Sequence, residues 1–302
     1  MDVFYTHHFV LPLPDGHRFP MAKYARLYER VATQAGALGL VLHEPEAASR
    51  TDLERAHDAD YVARVVRGEL TQRELSRIGF PWSPGMVERS RRSSGATVAA
   101  LRSAIRDRGF AVNLAGGTHH AHRDRGGGYC VFNDAVVAAR HAQAHGFARR
   151  VLVVDLDVHH GDGTASICAD DPSIYTFSMH GARNYPSIKP AGDLDVPLPD
   201  GCGDDEYLAL LRMHLPLAIA RSGADAAIYL AGADPYAGDR LGHLALSKAG
   251  LAERDRRVLS QCRTAGLPVA IAMAGGYAEQ VEDIVDIHEA TVRTAARLCP
   301  TS

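Results

Sequence analysis

The chain has 302 residues, 46% hydrophobic and 23% charged, with a formal net charge of −3; this composition predicts one α/β domain spanning 1–302 and excludes a nucleic-acid footprint. The Arg-rich runs Arg89–Arg92 and Arg254–Arg257 read as solvated helix faces. Five scattered cysteines form no disulfide framework or CxxC site, no apolar run approaches ~20 residues, and Asp2-Val3-Phe4-Tyr5 has no leader pattern, so a cytoplasmic, reducing location is expected.

In chain order, a helical pattern over Pro84–Arg108 precedes the apolar run Phe110–Leu114, which ends in Gly116-Gly117-Thr118-His119-His120. A helix over Asn133–His145, closed by Gly146, leads to the run Val151–Val154 and then to Asp155-Leu156-Asp157-Val158-His159-His160-Gly161-Asp162-Gly163. Ile174–Phe177 runs into Ser178-Met179-His180. A helix over Asp204–Arg221, with a kink expected at Pro216, precedes Ala226–Leu230 and Gly232-Ala233-Asp234. A helix over Ser247–Ala265, capped by Ser247, precedes Val269–Ala274 and Gly275-Gly276-Tyr277. Strands alternating with amphipathic helices predict a mostly parallel open sheet covered on both faces, with polar clusters at the carboxyl ends of its strands.

The stretch from Val154 to Gly163 alternates apolar and metal-binding side chains. At the period of a strand, Asp155, Asp157 and His159 share one side, Leu156 and Val158 take the other, and the Gly161-Asp162-Gly163 turn ends the element. An EF-hand would need an oxygen ligand where His159 falls and a Glu where Ser166 falls. Acids this close at a buried strand end repel unless a cation or proton compensates them, which points to a metal. The adjacent His119 and His120, with Asp155 and Asp162 available, suggest two oriented His–Asp pairs. Gly126-Gly127-Gly128 lacks the pattern and following Lys of a phosphate loop. Taken singly, Asp234 also reads as a cap for the next helix and Tyr277 as a core aromatic.

Together, Gly116–His122, Gly128–Asp134, Asp155–Gly163, Gly232–Asp234 and Gly275–Tyr277 resemble the histone deacetylase family, within the arginase/deacetylase superfamily. His17-Arg18-Phe19-Pro20-Met21 and Arg183-Asn184-Tyr185-Pro186 are most similar to class IV and its bacterial relatives. The resemblance implies a divalent metal, zinc or iron(II), on Asp157, His159 and Asp234. It implies His119–Asp155 and His120–Asp162 as general base and acid, and Tyr277 as hydroxyl donor to the carbonyl oxygen. The Gly128 carbonyl would hold the substrate amide, and Tyr129 and Tyr185 would flank the tunnel. A structural potassium ion would sit among Asp155, Asp157, His159, Ser178 and Met179.

The expected reaction is hydrolysis of an acyl amide, most simply acetyl, on a lysine side chain of a protein or on an acylated small amine, with no membrane partner. Acetylpolyamine hydrolysis, long-chain deacylation and a non-catalytic acyl-lysine reader are the alternatives; an arginase-like pair of manganese ions lacks a second full ligand set. One departure stands out. Where classical members carry a rim Asp, Gly79-Phe80-Pro81-Trp82-Ser83-Pro84 has none.

Overall fold

The computed structural model describes residues 1–14 and 16–299. Its strands are β1 (Asp2–Phe4), β2 (Val41–His43), β3 (Phe110–Asn113), β4 (Val151–Asp155), β5 (Ile174–Gly181), β6 (Leu194–Leu198), β7 (Ala226–Leu230) and β8 (Val269–Ala272). The helices are α1 (Ala22–Leu38), α2 (Arg50–Ala56), α3 (Ala59–Arg67), α4 (Gln72–Ile78), α5 (Pro84–Asp107), α6 (Asp134–Ala144), α7 (Asp162–Cys168), α8 (Asp204–Ser222), α9 (Lys248–Thr264) and α10 (Val281–Leu298). The strands form one eight-stranded sheet in the order β2-β1-β3-β8-β7-β4-β5-β6. Every pairing is parallel.

Strand periodicity divides the core. Val151 and Val153 of β4, Ile228 of β7 and Ala270 of β8 pack on one face with Leu101 of α5 and Val137 of α6. Leu152, Val154, Tyr229 and Ile271 pack on the other with Leu27 of α1, Leu211 of α8, Val258 of α9 and Val292 of α10. Burial on both faces explains why the central strands read as unbroken apolar runs. The outer strand β6 tolerates an exposed Pro197 because one of its edges has no strand partner among the described residues.

Three expectations change. The hydrogen-bonded strand ends at Asp155, so Asp157 and His159 stand on bends beyond it. Gly161-Asp162-Gly163 is no closing turn, because Asp162 opens α7. The run at Arg254–Arg257 is not wholly a solvated face, for Arg254 is completely buried. Its guanidinium meets Asp255 at 2.8 Å and donates to the carbonyls of Gly232 and Leu156 at 2.7 and 3.2 Å. Tyr229 and Thr291 donate to the same Asp255 carboxylate, each at 2.5 Å. A buried charge survives only when compensated in this way, and here it braces the backbone leading to Asp157 and Asp234. Arg89 is likewise buried, with its guanidinium on the Phe9 carbonyl at 3.0 Å and 4.2 Å from the Tyr24 ring centre.

Candidate active site

The site forms at the carboxyl ends of the central strands. Asp155 is the last residue of β4, and pairing with β5 sets Ser178 beside it. Beyond β4 the chain keeps its side chains alternating, so Leu156 and Val158 join the core while Asp157 and His159 turn the other way. Asp234 follows β7, and its Oδ1 accepts from the Val158 backbone N–H at 2.9 Å. It caps no helix, since α9 begins only at Lys248.

Asp157, His159 and Asp234 converge, with ligand atoms all within 4.8 Å of one another. His159 Nδ1 lies 2.9 Å from Asp157 Oδ1 and 3.3 Å from Asp234 Oδ2. All three are buried, and Asp234 Oδ2 has no hydrogen-bond donor. Burial and repulsion from Asp157 push the Asp234 carboxyl up to about 7. Against the cost of burial, the two carboxylates raise the His159 imidazole to about 10. Two acids that repel one another around one imidazole form a donor set suited to a divalent cation. A Cβ on Gly275 would stand 1.9 Å from Asp234 Oδ2 and 2.6 Å from Asp157 Oδ2, so only glycine leaves this cradle open. The residues fit a divalent metal.

Beside them, His119 Nδ1 meets Asp155 Oδ2 at 2.7 Å and His120 Nδ1 meets Asp162 Oδ1 at 2.6 Å. The two Nε2 atoms are 3.1 Å apart. Asp162 also meets His122 Nε2 at 2.9 Å, a second imidazole partner. Although burial opposes it, Asp155 and Asp157 lift His119 to about 9, while burial and the neighbouring His119 press His120 down to about 3. These opposite shifts favour the proton on His119 over His120.

Tyr277 is only 8% exposed, and burial with Asp157 and Asp234 nearby holds its phenol protonated. Its backbone N–H donates to Asp239 Oδ2 at 2.6 Å and its carbonyl accepts from Arg240 Nε at 3.0 Å. A cavity of about 360 Å³ opens from His120, His159 and Tyr277 between Tyr129 and Tyr185. The Tyr185 ring centre is 4.8 Å from that of His120, edge to face, and Tyr129 stacks among Phe19, Phe80 and Tyr277 at 5.1–5.9 Å. Tyr129 takes a left-handed backbone, φ 65°, held because Gly128 and Tyr129 donate to the Arg77 and Ile78 carbonyls that end α4. A Cβ on Gly128 would come within 2.6 Å of the His120 ring. Among the described residues, the Gly128 carbonyl receives only the weak Cys130 thiol at 3.3 Å.

Several supporting residues carry no sequence expectation. Asp134 accepts from Gly117 N, Thr118 N, Thr118 Oγ1 and Thr97 Oγ1 at 2.6–3.0 Å, fixing the turn before the two histidines. Its place inside the Gly128–Asp134 segment was the available signal. Lys23 lies buried beside the Tyr277 ring, 5.3 Å from its centre, and donates to the Gly276 carbonyl at 3.2 Å.

His57 joins the His122 carbonyl at 2.8 Å to the Asn133 N–H at 2.9 Å, tying the histidine loop to the start of α6. Burial lowers its pKa to about 4. The unfolded chain therefore binds the extra proton between about pH 6.5 and 4, and stability from neutral His57 is full above 6.5 and lost as the pH falls through 4. The total is about 3 kcal/mol. Urea unfolding across that range should show the loss in the wild type and a flatter profile in His57→Gln; equal slopes would contradict it.

A family model described as the histone deacetylase domain matches residues 17–292. The chain belongs to the histone deacetylase family. Histone deacetylase 2 of Arabidopsis thaliana is 30% identical over 271 residues, covering 86% of this chain and 70% of its own length. An uncharacterized protein of Picosynechococcus sp. is 44% identical, covering 97% of each chain. The crystal structure of the HDA15 HD domain superposes with a TM-score of 0.81 at 24% identity, over 97% of this chain and 90% of the other, which shows the fold. The sheet is that of the arginase/deacetylase fold, and membership in the family supports a metal-dependent deacetylase. Among the described residues, no helix is long and apolar enough to cross a membrane.

Proposed function

We propose that this histone deacetylase family member is a zinc- or iron(II)-dependent hydrolase of acetylated primary amines with a lysine-like stem. The observation that carries the reading is the convergence of Asp157 and Asp234 on His159, which lines the cavity together with His120 and Tyr277. A divalent ion held by those three residues would supply Lewis acidity toward the amide carbonyl and toward water. His120, neutral and oriented by Asp162, would take the proton from water and return it to the leaving amine. His119, charged beside Asp155, would stabilise negative charge as it develops. The Tyr277 hydroxyl would donate to the carbonyl oxygen, the Gly128 carbonyl would accept the amide N–H, and Tyr129 and Tyr185 would flank the methylene stem.

A structural potassium ion would take Asp155, Ser178 and the backbone oxygens of Asp157, His159 and Met179. The pairing of Asp155 with Ser178 supports it. It would offset the buried acids behind the catalytic pair.

Acetyl is favoured over long acyl chains. Behind the floor lies a cavity of only about 50 Å³, lined in part by Phe19, Lys23 and Tyr24. It has room for a methyl group but not for a fatty chain. Turnover of matched acetyl- and myristoyl-lysine peptides should favour acetyl by at least about tenfold, a difference of about 1.4 kcal/mol between transition states. A preference for myristoyl would overturn the acyl assignment.

A further inference from the structure

The mouth of the cavity differs from its floor. Its lining includes Arg77, Arg183 and His243 with Tyr129 and Tyr185, and it contains no carboxylate side chain. Arg77, in the last turn of α4, is exposed and has no carboxylate partner within 4 Å among the described residues. A cation there complements the helix end, but the same placement lays its stem beside Gly127 and the Tyr185 hydroxyl, on the approach to His120. Arg183 is 79% exposed on the facing segment. Asp200 is shared between Arg183 at 3.1 Å and His243 at 3.6 Å, and Asp239 accepts from the Leu241 and Tyr277 backbone N–H groups at 2.8 and 2.6 Å. Deeper in, Asp162 is taken up by His120 and His122. An acidic chain of net charge −3 thus presents a basic rim at the mouth of the cavity that reaches His120, His159 and Tyr277.

We propose that Arg77 and Arg183 select acetylated amines that carry anionic groups next to the lysine-like stem, and disfavour cationic substrates such as acetylated polyamines or Arg- and Lys-flanked peptides. The inference rests on the deacetylase reading above and narrows its substrate class. With an acetylated stem between Tyr129 and Tyr185, the atoms on the far side of the stem emerge among these guanidinium groups. A carboxylate there gains attraction and a second ammonium meets repulsion, in a partly solvated setting where each contact is modest but the signs add. The anion has two sources: acidic side chains of a protein substrate, or the carboxylate of a small acetylated amino acid.

The test uses metal-loaded protein, with kcat/KM and equilibrium binding by fluorescence anisotropy measured side by side. One arm compares acetyl-lysine peptides flanked by Glu, Gln or Arg, together with an acetylated polyamine. The other compares Nε-acetyl-lysine bearing a free α-carboxylate with its amide. At low salt the Glu peptide should exceed the Arg peptide by about tenfold, the gap should shrink in high salt, and Arg77→Glu with Arg183→Glu should reverse the order, with Arg77→Gln between. A preference confined to the second arm assigns the anion to a small molecule. Equal or reversed preferences in both arms overturn the proposal. If no substrate turns over but the binding order holds, the rim stands and the hydrolase reading fails.

Discussion

Asp234→Ala is expected to lose the divalent ion and turnover together. Among the described residues, Asp157, His159 and Asp234 are the one set of three fully buried donors that meet within ligand distance, so no neighbour replaces a lost carboxylate. Even partners outside the ligand set typically cost 10–100-fold when removed, so loss of a ligand should cost at least about 10² in turnover. The same change relieves the repulsion that pushes the Asp234 carboxyl up but leaves the buried Val158 N–H without its acceptor, so the stability of the apo variant is measured beside its metal content. Elemental analysis paired with thermal unfolding separates loss of metal from loss of fold. Full metal content in Asp234→Ala would remove the residue from the ligand set.

Tyr277→Phe should leave the metal in place and lower turnover by about 10²–10³, the usual cost of one oxyanion donor. The substitution removes only a hydroxyl, and the ring contacts with Tyr129 and His159 remain. Asp239 and Arg240 hold the backbone of residue 277 on either side, so the ring should keep its orientation. A kcat close to wild type would make Tyr277 a packing residue.

The central strands were legible because β4, β7 and β8 are buried on both faces and so spell continuous apolar runs ending in polar clusters. The N-terminal third was not. β1 and β2 have three residues each, and α1 buries only Lys23, Leu27 and Val31, a stripe too thin to show in the pattern. The strand after Asp155 was overextended because the bends preserve the alternation that a strand would give. Arg254 reads as solvated because Arg256 faces solvent and Glu253 and Arg257 are part-exposed, and the tertiary partners Leu156 and Gly232 with the buried Asp255 mark it as buried.

At the site, residue types and spacing suggested the His–Asp pairs, and the structure sets their distances. The supports lay outside that reach. Asp239 and His57 act on backbone groups 38 and 65 residues away, and no local pattern announces such a contact. The basic rim was invisible for the same reason, since Arg77 and Arg183 meet only through the fold.

The most direct measurement is a metal titration of apo protein, wild type beside Asp234→Ala, following hydrolysis of an acetyl-lysine peptide as zinc or iron(II) is added. The account predicts that wild-type activity rises in proportion to bound metal and saturates at one ion per chain at this site, while the variant stays inactive. Hydrolysis by the metal-free wild type at the rate of the loaded enzyme would contradict it.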